Sequence, residues 1–136
     1  MNVAPLRCLA GALGLAALLA APLPAEAQSK RFALACVSTL TDHKINFEYR
    51  WGDEDWTAAS VGPGKWQLLM WRYNRPNENR SPPLQVRYDD DMGKRTNYAI
   101  TDIEAYAASS ENCEDQGKTY HFYVEDGELF LSDDEG

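Results

Sequence analysis

The sequence predicts an all-β protein, a single antiparallel β-sandwich of about seven to eight strands following a cleaved signal peptide. Three observations carry that reading. Beyond residue 28, apolar side chains recur at every second position in one segment after another, the period of a strand with one face buried. Clusters of Gly, Pro, Asp and Asn separate these segments at turn-like intervals. No segment in this part of the chain has a convincing 3.6-residue period, so helices are not expected to form a layer.

Taken in order, residues 1–27 read as the signal. One positive charge, Arg7, precedes an apolar run from Leu9 to Ala21, and Ala25-Glu26-Ala27 supplies a small-x-small cleavage site. Thirteen residues at 1.5 Å each would cover only about two thirds of a ~30 Å hydrocarbon core, so no membrane span is expected. A lipid anchor is not expected either. Ala33-Leu34-Ala35-Cys36 lies beyond the charges Lys30 and Arg31 and is separated from the apolar run, whereas a lipoprotein cysteine closes that run directly. The Ala- and Leu-rich signal is of bacterial type, and the expected location is periplasmic or extracellular.

The mature chain then reads as one domain, residues 28–131, with an acidic disordered tail at 132–136. Phe32, Leu34 and Cys36 align on one face of a first strand. INFEYRW, residues 45–51, alternates without error, with Ile45, Phe47, Tyr49 and Trp51 on one side. Gly52-Asp53-Glu54-Asp55 turns the chain into an extended WTAASV, which Gly62-Pro63-Gly64 ends. KWQLLMWRY, residues 65–73, is apolar on both faces and reads as a central strand covered on each side. A polar loop, residues 74–83, precedes Leu84, Val86 and Tyr88 on a further strand. The run from Arg95 to Ala107 alternates at Tyr98 and Ile100 and loses phase near Asp102, as a bulge or bend requires. A single helical turn is admissible within AYAASSENCED. KTYHFYV and ELFLS, joined at Asp126-Gly127, form a final hairpin.

Cleavage would remove Cys8 and leave Cys36 and Cys113, which in an oxidising compartment are expected to pair. Two cysteines with His43 and His121, which lack ligand spacing, do not make a zinc site. The order Cys36, Trp51, Cys113 resembles that of immunoglobulin domains, although Glu111 stands where that family usually has tyrosine. The resemblance implies an immunoglobulin-like or related sandwich. Cys36, Thr41, Ile45, Phe47, Trp56, Pro63 and Gly64 resemble a pattern in small secreted bacterial β-sandwich domains of unknown function, over about a third of the mature chain.

Charge narrows the partners. Residues 28–87 carry 9 bases and 6 acids, whereas residues 88–136 carry 3 bases and 14 acids, so the net −8 is concentrated in the second half. A phosphate backbone would be repelled there, and nucleic acid is not an expected partner. Hydrolase signatures are absent, no cofactor is implied, and the leading expectation is a non-enzymatic binding domain for a protein or glycan in the cell envelope. Its candidate binding residues are Trp56 beside the acidic turn, Trp71 and Tyr73 on the next strand, and Arg72, Arg75 and Arg80 on or near the long loop, where function tends to concentrate. Asp53 and Asp55, and Asp89 and Asp91, put hard oxygens on turns as calcium prefers, but neither group follows an EF-hand loop. Two alternatives remain: a small hydrolase using His121 with nearby carboxylates, and a structural component of an envelope assembly.

Overall fold

A computed structural model of the protein describes residues 29–75 and 78–133. The expected signal, and residues 134–136 of the expected tail, lie outside the described residues. Among the described residues the chain forms nine strands and one short helix: β1 (Phe32–Thr39), β2 (Ile45–Trp51), β3 (Thr57–Val61), β4 (Gln67–Arg72), β5 (Leu84–Asp89), β6 (Tyr98–Ile103), β7 (Tyr106–Ala108), α1 (Cys113–Gln116), β8 (Lys118–Glu125) and β9 (Glu128–Asp133). No helix among these residues is long and apolar enough to cross a membrane.

The strands make two sheets. The first has the order β4-β1-β8-β9, with β7 also paired to β1; the second has the order β3-β2-β5-β6. All pairs are antiparallel except β1 with β8, where Ala35 to Thr39 run alongside Lys118 to Phe122 in the same direction. The purely antiparallel expectation is therefore corrected. The two strands are separated by most of the domain, so no tight hairpin constrains their direction.

A single apolar cluster draws on both sheets. From the first come Ala33, Ala35, Val37, Leu69 and Phe122, and from the second Ile45, Phe47, Trp51, Val86 and Tyr88. Three ring pairs join the sheets: Phe47 with Phe122 at 5.6 Å between centroids, Tyr88 with Phe122 at 5.2 Å edge-on, and Trp51 with Trp71 at 6.0 Å. The small inner side chains of β1 leave the volume that these rings occupy.

The strand covered on both faces is β1, not residues 65–73. Ala33, Ala35 and Val37 face the main cluster, while Phe32, Leu34 and Cys36 belong to a second cluster with Ala108, Cys113 and the partly buried Leu68. β4 is an edge strand. Only Leu69 within it is fully buried, and Met70 is exposed, as is the preceding Trp66. An edge strand can carry large apolar residues outward, which imitates the two-sided pattern of a covered one.

The second cluster is closed by the Cys36–Cys113 disulfide, with Cα atoms 6.0 Å apart. Asn112 caps α1, its side-chain oxygen accepting from the N–H groups of Glu114 and Asp115. At Gly117 a Cβ would stand 2.8 Å from the Cys36 sulfur, so the chain can leave the helix here only as glycine. The loss of phase near Asp102 is a change of sheet: β6 ends at Ile103 in the second sheet, and β7 begins at Tyr106 in the first. The Glu104 N–H between them donates to Tyr120 Oη at 2.8 Å. β9 continues through Ser132 and Asp133, past the expected boundary at 131, and Lys118 Nζ reaches the Asp133 carboxylate at 3.4 Å.

Burial pushes the phenols of Tyr73, Tyr88 and Tyr120 above their ordinary value of 10.0. Raised in the folded state, these groups favour the neutral phenol there. The stability they contribute is complete below pH 10 and is lost as the pH climbs through the unfolded value toward the folded ones. Urea midpoints recorded at rising pH are expected to fall from about pH 10 upward. A flat midpoint through that range would contradict the burial of these phenols.

Candidate functional site

The strand registers place the outward side chains of the second sheet on a grid. Trp56, just before β3, lies at one end of a row continued by Arg50, Gln85 and Asp102. The next row is Ala58, Glu48, Arg87 and Ile100, and the third is made of two pairs, Ser60 with Asn46 and Asp89 with Tyr98, of which Asn46, Asp89 and Tyr98 border one hollow. Each outward position alternates with a core position, so the strand period that builds the cluster beneath also sets this face.

Hydrogen bonds run along the rows. Arg50 Nε donates to Gln85 Oε1 at 3.0 Å, and Gln85 Nε2 donates to Asp102 Oδ1 at 2.9 Å. Arg87 gives Glu48 Oε1 both its Nε, at 3.1 Å, and its Nη2, at 2.8 Å. The Trp56 ring lies 4.5 Å from the Arg50 guanidinium carbon and 4.3 Å from that of Arg87, and the Tyr98 ring lies 5.6 Å from the latter. The result is a sheet of flat groups whose orientations are mutually held. Between its second and third rows the small Ala58 leaves a hollow of about 330 Å³, bordered by Asn46, Glu48, Arg87 and Tyr98. Tyr98 and Ile100 stand 61% and 55% exposed on the edge strand, so the alternation read at these residues marks the outer face rather than the core. Ala99, Thr101 and Ile103 point the other way, and of these Ile103 is buried.

Of the sequence-predicted binding residues, the structure brings only some together. Trp56 is on this face, half-buried against the two arginines. Trp71 and Tyr73 point inward: Trp71 packs on Trp51, and Tyr73 is only 8% exposed, so neither ring is presented as a surface platform. Odd-numbered positions 67 to 73 share the face of Leu69, and that phase turns both rings to the core. Arg72 and Arg75 are exposed and line a second hollow, of about 270 Å³, with Arg31, Ser29 and Asn74. Arg80 is exposed elsewhere on the loop. Sequence reasoning missed Arg31, Arg50, Arg87 and Tyr98. The outward phase opposite Leu84, Val86 and Tyr88 could have found Arg87, but no local signal joins Arg31 to Arg72.

The acidic turns hold themselves together. Asp89 Oδ1 accepts the N–H groups of Asp91, at 3.1 Å, and of Asn97, at 2.9 Å, and Asp91 Oδ1 accepts that of Gly93 at 2.7 Å. Asp53 and Asp55 are exposed on the turn after β2. No group of three or more potential metal ligands occurs among the described residues.

His121 stands outward on β8, its ring 5.9 Å from that of Tyr123, which stacks in turn on Phe130. Its cross-strand neighbours in register are Ser38 and Ser132. At one end of the molecule Leu40, Met92 and Val124, all exposed, rim a hollow of about 560 Å³ with Tyr123 and the Asp42–His43 pair. Against family models, curated proteins and solved structures, the chain finds no match.

Proposed function

We propose that the protein is exported, its two sheets closed face to face as a β-sandwich, and that it serves in the periplasm or outside the cell as a non-enzymatic binding domain for an envelope glycan. A signal-like first segment and the disulfide support export; a core shared by both sheets supports the sandwich. The observation that carries the binding reading is the outer face of the second sheet, where indole, phenol, guanidinium, amide and carboxylate groups are interlinked before any ligand arrives.

Charges on that face nearly cancel, two arginines against Glu48, Asp89 and Asp102. It therefore suits an uncharged polyhydroxyl chain better than a strong ion. Sugar rings present C–H faces to Trp56 and Tyr98, and their hydroxyls find both donors and acceptors in the rows between. Because Arg87 and Glu48 already hold each other, little side-chain freedom is lost on binding.

The test is titration of the purified protein with soluble neutral oligosaccharides, N-acetylglucosamine oligomers and glucose oligomers, followed by tryptophan fluorescence. Trp56→Ala and Tyr98→Ala are each expected to weaken binding by roughly tenfold, the equivalent of about 1.4 kcal/mol. Saturable binding that ignores both substitutions would place the ligand elsewhere, and no saturable binding would remove the glycan reading.

A further inference from the structure

We propose that the hollow between the start of β1 and the end of β4 is a binding site for a phosphoryl group. It does not depend on the glycan reading, because it lies on different strands and uses different side chains.

The register of β1 with β4 sets Phe32 beside Arg72, and the Tyr73 N–H donates to the Arg31 carbonyl at 2.8 Å. Two chain segments are thereby clamped side by side, with Arg31 on one and Arg72 and Arg75 on the other. All three arginines line one hollow of about 270 Å³, with Ser29 and Asn74, and no carboxylate takes part in the lining. Among the described residues, none of the three side chains has an ion-pair partner. The nearby Glu78 carboxylate accepts from the backbone N–H of Arg75 rather than from its guanidinium.

Three like charges gathered at one hollow repel one another, and this happens in a chain whose net charge is −8. An anion relieves that repulsion. Guanidinium groups donate in pairs to oxyanions. Three of them, with a hydroxyl and an amide, offer more donors than the two oxygens of one carboxylate can take. The several oxygens of a phosphoryl group match them from three sides. A long polyanion would meet the acidic second half of the chain, so the ligand is a compact phosphorylated group and not a nucleic acid.

Two probes separate its sources: inorganic phosphate, followed by calorimetry at low salt, and vesicles of phosphatidylglycerol against vesicles of phosphatidylcholine, followed by co-sedimentation. The variants are Arg31→Gln, Arg72→Gln and Arg75→Gln, singly and together, with Lys65→Gln as a charge control and circular dichroism to confirm the fold. Saturable phosphate binding with Kd below about 10 mM, weakened about tenfold by each arginine change and unaffected by the control, is expected for a free phosphorylated ligand. Binding confined to the anionic vesicles with the same arginine dependence would place the phosphoryl group on a lipid. The proposal is overturned if neither probe binds, or if either binds equally well to the triple variant.

Discussion

Replacing Cys36 and Cys113 together by alanine is expected to lower the unfolding free energy by about 4 kcal/mol. The bridge closes a loop of 77 residues in sequence separation, which in a chain-entropy treatment corresponds to ~4.5 kcal/mol, with native disulfides of small secreted domains typically worth 2–5 kcal/mol. The figure is large because of where the bridge sits. Cys36 is wholly buried on β1, the strand that pairs with β4, β7 and β8, and Cys113 opens α1, the element lying over the outer face of that strand. Without the bond, α1 keeps its Asn112 cap and the Gln116 side chain that accepts from the Ser109 and Ser110 N–H groups, but only four residues of helix remain to cover Leu34. Such a short helix has no stability of its own. Urea unfolding of the double variant, set beside the parent with and without reductant, measures the effect. A loss below about 1 kcal/mol in both comparisons would show that the fold does not lean on this cross-link.

The residues that made these features legible, and those that did not, differ in a physical way. Where one face is buried and the other wet, as in Ile45 to Trp51 and Leu84 to Tyr88, the period of two appears directly in the sequence and the strand is found with its phase. Cys36 and Cys113 could be paired because the expected loss of Cys8 with the signal segment leaves two cysteines and one pairing. Phase became ambiguous wherever apolar residues occupied both faces. In FALACV both faces are covered, one by the sheet opposite and one by α1. In QLLMWR the same composition lies on an edge, with Met70 in solvent. Which of the two is central depends on pairing partners far away in the chain, and composition does not encode that. The candidate site shows the same limit. Trp56 was found from its neighbourhood, but its partners Arg50 and Arg87 meet it only through the registers of β2 with β3 and β5. Arg31 joins Arg72 only because β1 and β4 run antiparallel. Tyr98 and Ile100 alternate like core residues although they face outward, since periodicity gives a strand two faces without saying which is wet.

Whether the two sheets face each other can be read from one side chain. Phe122 is completely buried on β8 of the first sheet, and its ring meets Phe47 and Tyr88, both from the second. Phe122→Ala is expected to destabilise the protein by about 3–5 kcal/mol, through lost transfer energy and the cavity left among neighbours that cannot collapse into it. Tyr123, the next residue, points outward and stacks on Phe130; its change to alanine is expected to cost about 1 kcal/mol. That contrast alone would establish only that residue 122 is in a core. The stronger measurement is the double-mutant cycle with Phe47→Ala. Ring pairs in edge-to-face or tilted contact couple by about 0.5–1.5 kcal/mol beyond the area they bury, whereas residues with no contact add within about 0.5 kcal/mol. Phe47 and Phe122 belong to strands that share no hydrogen bond, so a coupling near 1 kcal/mol between them can arise only through the packed interior. A cycle that closes to zero, with both single variants folded, would mean that the two sheets do not press these rings together, and the outer face bearing Trp56 would lose the support that holds it flat.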